Sequence, residues 1–292
     1  VEPNVSLILR PTQEVEMPLC NNGGVSIHFE SFGLASNPTL LLVNGLGAQS
    51  ISFRDDMCVE FASRGFHVVR YDNRDVGLSG DGPSGYGLSD MAADGIAVLD
   101  AVGAGRAHVW GTSLGGMIVQ TMAIEFPDRL ASVSSVMSTT GDPGVGQPTD
   151  EAKRLLLTPG SPNRDEAIEA HLAGQRVWGS PGLVEWDVQR EMAGRVFDRA
   201  CRPDGTARQY QAARRDGSRS DRLAKVRLPF MVVHGTADTL IDISGGRRTA
   251  EVVPGARFLP IEGMGHDHPR GLWSQFADAL EGFALQSGTG GL

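Results

Sequence analysis

The chain of 292 residues is poor in cysteine, in positive charge and in long apolar runs, and each shortage argues against a class of protein. Its three cysteines, Cys20, Cys58 and Cys201, are odd in number, widely spaced and without a CxxC pair. That speaks against a disulfide framework, a zinc site or a dithiol redox centre, and reduced thiols are expected. Lys and Arg number 26 against 35 Asp and Glu, and the resulting net charge of -9 repels nucleic acid and anionic membrane surfaces alike. No stretch approaches the ~20 apolar residues of a membrane helix. The apolar run at residues 5–9 is too short for an export signal and follows no basic residue, so a cytoplasmic location is expected.

What is present is a repeating alternation of short β-rich runs and longer helical patterns, the signature of a parallel sheet with crossover helices. Residues 1–19, with Pro3, Pro11 and Pro18, read as an unpacked arm. Strands are expected at 25–32, 39–43, 67–71, 107–110 and 130–137, with helices at 55–64, 88–102 and 114–126, the last stopped by Pro127. After Ser138 the rhythm breaks. Residues 141–222 carry helical patterns at 150–157, 164–177 and 183–199 between Pro and Gly clusters, and read as an inserted helical cap. Alternation resumes with a strand at 230–234, a helix at 244–252, a strand at 256–261 and a helix at 272–284. The core is therefore expected at 20–140 and 223–286, followed by a disordered tail at 287–292.

Gly111-Thr112-Ser113-Leu114-Gly115 sits between an apolar strand and an apolar helix, the context that gives G-x-S-x-G its meaning. A serine on so tight a turn projects its hydroxyl outward, and a Cβ at Gly111 or Gly115 would meet the neighbouring backbone. The Leu114 N–H and the helix N-terminus then face the position where a tetrahedral oxyanion would form. A second donor is expected from Asn44-Gly45-Leu46-Gly47, after the early central strand, with the Leu46 N–H as the candidate.

Serine needs a general base. Among seven histidines, His266 lies in the glycine-rich loop after the last strand, at the sheet edge where open α/β sheets hold ligands. His268 competes with it. The remaining five fall in strands, at strand ends or in a cap helix, and read as structural. The acid that orients the base is read as Asp238, in the loop after the strand at 230–234, with Asp142 as the alternative one strand earlier. From Arg195 to Arg227 nine Arg and one Lys face four Asp, which reads as solvated helix faces or as a site attracting an acidic substrate. Trp178 and Trp186 either line an acyl pocket or pack the cap.

The combination of Tyr71-Asp72-Asn73-Arg74-Asp75-Val76-Gly77-Leu78-Ser79, Gly111 to Gly116, His234-Gly235-Thr236-Ala237-Asp238 and Gly263-Met264-Gly265-His266 resembles the α/β-hydrolase superfamily over about residues 20 to 286, and most of all bacterial esterases of the aclacinomycin methylesterase type. The resemblance implies an eight-stranded, mostly parallel sheet with a helical lid, and supports Ser113, Asp238, His266 and the N–H groups of Leu46 and Leu114. Many relatives have His-Gly where this chain has Asn44-Gly45, a change that a backbone donor tolerates. Carbon–carbon bond hydrolases of this fold often place Trp after the catalytic histidine, where Asp267 stands here.

The expected activity is hydrolysis of a carboxylic ester through an acyl-enzyme, with no metal and no organic cofactor. The expected partner is a small-molecule ester with an apolar acyl part; a homodimer stays open, as do lactonase, thioesterase, carbon–carbon hydrolase and perhydrolase activities, and a non-catalytic ligand-binding role.

Overall fold

The computed structural model describes residues 18–288, and the expectations for residues 1–17 and 289–292 lie outside them. The chain runs β1 (Leu19–Asn22), β2 (Val25–Phe32), β3 (Thr39–Val43), α1 (Asp55–Ser63), β4 (His67–Tyr71), α2 (Leu88–Ala101), β5 (Ala107–Thr112), α3 (Leu114–Glu125) and β6 (Leu130–Val136). Four helices follow, α4 (Asp150–Leu156), α5 (Arg164–Trp178), α6 (Trp186–Arg199) and α7 (Pro203–Asp216), then the short α8 (Ser220–Leu223). The sheet resumes with β7 (Phe230–Gly235), α9 (Ser244–Val252), β8 (Arg257–Ile261) and α10 (Trp273–Gly288).

The eight strands form one sheet in the order β1-β2-β4-β3-β5-β6-β7-β8. The β1/β2 and β2/β4 pairs are antiparallel and all the others parallel. Both faces are covered, which explains why β3 reads as an unbroken apolar run rather than an alternating one. Leu41 and Val43 point into the layer of α2 and α3, whereas Leu40 and Leu42 point into the layer of α1 and α10 with Phe61, Trp110 and Phe276. Full burial of each such side chain contributes about 1.5–3 kcal/mol, so the central strands are the most firmly held part of the chain.

Sequence reading differs from structure in four places. Leu19 opens β1 and so belongs to the sheet, not to an arm; Ser287 and Gly288 close α10 and are helical, not tail. The insertion between β6 and β7 has a fourth helix, α7, whose apolar pattern is diluted by Arg208, Arg214 and Arg215. Helix α8 packs on α3 and α9, so the segment from Ser220 onward joins the core. The insertion has little apolar interior of its own, a cluster of Ile168, Leu172 and Ala193. It must be held by contacts to the core.

The arginine excess supplies those contacts. Arg199 at the end of α6 pairs with Asp72 at 2.8 Å, Arg208 of α7 with Asp75 at 2.9 Å, and Arg202 with Asp81. Arg219 and Arg222 share Asp216. Core carboxylates thus take up much of a charge excess that in sequence reads as solvated faces or an anion trap. The loop after β4 gives each polar residue a partner: Asn73 Nδ2 donates to the Asn44 carbonyl at 3.1 Å, and Arg74 pairs with buried Asp94 at 2.7 Å. Asp75 adopts φ 74, a left-handed conformation, and its carboxylate also accepts the Gly82 N–H.

Candidate active site

Ser113 sits between β5 and α3 with φ 58 and ψ -116, a backbone strain that non-glycine residues rarely carry. The surroundings enforce it. A Cβ at Gly111 would overlap the Gly115 carbonyl, and one at Gly115 would overlap the Val43 carbonyl, so strand, turn and helix approach as only glycine permits. The Ser113 N–H donates to Val136 O at 2.9 Å, and Ser138 Oγ donates to the Ser113 carbonyl at 2.8 Å. Ser138 was invisible as a site residue in the sequence; Gly116 makes room for its side chain.

The loop after β3 lies against the nucleophile. A Cβ on Gly45 would stand 3.2 Å from Ser113 Cβ. Asn44 turns its side chain away from that gap: Nδ2 donates to Gln49 O at 2.9 Å and closes the loop on itself. Neither Leu46 N–H nor Leu114 N–H has a hydrogen-bond partner among the described residues, and both residues border the same cavity as Ser113.

The two candidate histidines and the two candidate carboxylates have different surroundings. His266 Nδ1 lies 2.6 Å from Asp238 Oδ2. Asp238 also accepts the Leu240 and Ile241 N–H groups, each at 2.9 Å. Burial raises the Asp238 pKa, but the adjacent His266 and His234 outweigh it and hold the carboxyl well below the usual carboxylate range. An ionised carboxylate only accepts, so Nδ1 carries the hydrogen and Nε2 is left bare to take a proton. His268 instead packs among Phe53, Trp110 and Phe276, with Nε2 3.2 Å from Thr112 Oγ1, and desolvation pushes its pKa down to about 3. Asp142 is engaged elsewhere, by Ser218, by Ser220 at 2.7 Å and by Arg248 at 2.7 Å.

Ser180, missed in the sequence, and the backbone carbonyl of Trp178 hold the His266 loop. Ser180, just past α5, donates from N–H and Oγ to Asp267, and its Oγ accepts the Gly265 N–H at 2.8 Å. The His266 N–H itself donates to Trp178 O at 2.5 Å. His234 is fully buried, its Nε2 2.8 Å from Ile241 O and 3.5 Å from Asp238 Oδ2. No local motif marks these contacts, because each joins segments far apart in the chain or depends on loop shape. The other histidines have structural partners: His108 Nδ1 is 2.7 Å from Ser132 Oγ, and His67 Nδ1 3.4 Å from Thr39 Oγ1. His171 meets Gln189 at 2.9 Å, and His28 stands beside Asp72.

Ser113 and His266 open onto a cavity of about 1140 Å³ between the sheet edge and the helical insertion. Its wall includes Met117, Met137, Trp178, Met192, Phe197 and Leu240. Trp186, by contrast, is 45% exposed with the Arg176 guanidinium over its ring. Among the described residues no group of three or more His, Cys, Asp or Glu is gathered as a metal site would require, and no helix is long and apolar enough to cross a membrane.

A family profile for the alpha/beta hydrolase fold matches residues 38–268. The chain belongs to the α/β hydrolase family. This α/β hydrolase is 28% identical over 279 residues to rhodomycin D methylesterase DauP of Streptomyces sp. (strain C5), an alignment covering 88% of this chain and 94% of that protein. It is 27% identical over 232 residues to 3-oxoadipate enol-lactonase 2 of Acinetobacter baylyi, covering 78% and 81% respectively. A solved hydrolase from Pseudomonas aeruginosa PA01 superposes with a TM-score of 0.72 at 26% identity, over 94% of this chain and 99% of the other.

Proposed function

We propose that this α/β hydrolase cleaves carboxylic esters with a bulky apolar acyl part through an acyl-enzyme on Ser113. The observation that carries the proposal is the convergence on one mostly apolar cavity of a strained, outward-facing serine and a histidine locked at 2.6 Å to an ionised, buried carboxylate.

In the proposed mechanism Ser113 Oγ attacks the ester carbonyl carbon while His266 Nε2 takes its proton, and Asp238 stabilises the imidazolium without becoming protonated. The oxyanion is bound by the N–H groups of Leu46 and Leu114. His266 returns the proton to the departing alcohol. Water then attacks the acyl-enzyme with the same base, and the carboxylic acid leaves. Residues 141–219 serve as the cap that walls the acyl site and excludes water from it.

The test is hydrolysis of p-nitrophenyl and methyl esters of graded acyl size by wild type and Ser113→Ala. A drop in kcat of about 10⁶-fold is expected for the variant; full activity in Ser113→Ala ends the proposal. The similarity to an enol-lactonase places cyclic esters in the same panel, since a lactone presents the same carbonyl with its leaving alcohol tethered.

A further inference from the structure

The oxyanion loop is held in place from the insertion, not only by the sheet. Helix α7 presents Gly205, Thr206 and Gln209 on one face to the core. Gly205 lies so close to the Asp75 carbonyl that a Cβ would overlap it, and Thr206 packs against Gly47, itself at φ 68. Gln209, fully buried, spends both ends of its amide on the core: Oε1 accepts the Gly47 N–H at 2.9 Å and Nε2 donates to Arg74 O at 2.8 Å. At the far end of the loop, Gln49 Nε2 donates to Val196 O and Ala200 O at the C-terminus of α6, both at 2.8 Å. The peptide that Gln209 grips is the one directly after Leu46.

We propose that Gln209 is a positioning residue for the oxyanion site, fixing the Leu46 N–H through the next peptide and so coupling the seating of α7 to catalysis. The proposal rests on the ester-hydrolase reading above. Orientation of a peptide plane is set by its neighbours' hydrogen bonds, and a backbone donor displaced by about 1 Å can lose ~10²-fold in rate. Gln209 touches no reacting atom, so its effect belongs in the chemical step and not in substrate affinity.

The experiment compares Gln209→Met and Gln209→Glu with Arg208→Ala, which removes the neighbouring ion pair of α7 to Asp75 and leaves the amide contacts intact. Each protein is assayed for kcat and KM, for the inhibition constant of a trifluoromethyl ketone transition-state analogue, and for the rate of fluorophosphonate labelling at Ser113. Expected for Gln209→Met is a 10- to 100-fold fall in kcat and in labelling rate, a parallel weakening of the ketone, and little change in KM. Gln209→Glu keeps an acceptor to Gly47 but sets a carboxylate oxygen against the Arg74 carbonyl, so it falls at least as far as Gln209→Met, and circular dichroism establishes that each labelled variant is folded. Equal labelling rates in the Gln209 variants and Arg208→Ala, with wild type labelled at Ser113, overturn the inference and leave the esterase reading intact. Absence of labelling at Ser113 in wild type overturns both.

Discussion

Replacing Arg199 by Met tests whether buried charge pairing, rather than apolar packing, holds the helical insertion on the core. Arg199 Nη1 lies 2.8 Å from Asp72 Oδ2, with side chains 14% and 0% exposed. The same guanidinium donates to Gln49 Oε1 at 2.9 Å and to Ser50 Oγ at 3.2 Å. Methionine keeps the apolar stem and removes the charge together with the hydrogen bonds to Gln49 and Ser50. Asp72 then stays buried with two backbone donors, Ser50 N–H at 2.6 Å and Leu78 N–H at 2.9 Å. Stranding one partner of a buried pair costs about 3–5 kcal/mol, and the two backbone donors together with neighbouring His28 place this case at the lower end, about 3 kcal/mol.

The sign of the pH dependence follows from Asp72. In the wild type burial raises its pKa, but contacts from His28, the Ser50 N–H and Arg199 outweigh that and hold it below the ordinary value. The ionised carboxylate therefore adds stability above the unfolded pKa, lost as pH falls through the folded one. Without Arg199 the folded pKa rises. Once above the unfolded value of ~3.9, protonation on acidification relieves the stranded charge, so the deficit relative to wild type shrinks by up to ~1.4 kcal/mol per pH unit below the new pKa. Urea unfolding followed by circular dichroism is the assay, with a midpoint lowered by about 1 M at pH 7.5. A loss below ~1 kcal/mol at pH 7.5, or a deficit that grows as the pH is lowered, would refute the reasoning.

Two further outcomes are expected. Asp238→Asn lowers kcat by about 10⁴-fold by stabilising the wrong imidazole tautomer, whereas Asp142→Asn, altering a carboxylate bound to Ser220 and Arg248, leaves the order of magnitude of kcat unchanged; the reverse pattern in steady-state kinetics would transfer the acid role to Asp142. His268, with its pKa pushed down to about 3, stays neutral in the fold while the unfolded chain binds a proton below ~6.5, so stability falls as pH drops through that window. His268→Gln, which does not titrate, removes roughly 3 kcal/mol of that loss between pH 6.5 and 4; thermal midpoints running parallel to wild type would exclude the contribution.

The serine turn was legible in sequence because its constraint is local: Gly111 and Gly115 are needed within a few residues of Ser113, so spacing alone carries the signal. Strands β3 and β7 were legible because burial on both faces demands largely continuous apolar runs. Helix α7 was not, since it buries little apolar surface and is held by Gly205, Gln209 and Arg208, polar or small residues without apolar periodicity. Likewise nothing near Ser180 in the chain announces that its hydroxyl holds the loop of His266.

By itself, then, the sequence determined a sheet with crossover helices, an acidic chain without long apolar runs, and a serine on a strand-to-helix turn, because each depends on neighbours a few residues away. Tertiary structure alone pairs His266 with Asp238 and gives His268 and Asp142 other partners. Each pairing depends on which side chain ends within hydrogen-bonding distance of which other, 2.6 Å for His266 and Asp238, and only the folded backbone sets that distance. It also decided the use of the arginine-rich stretch, whose partners Asp72, Asp75 and Asp81 lie more than a hundred residues away along the chain.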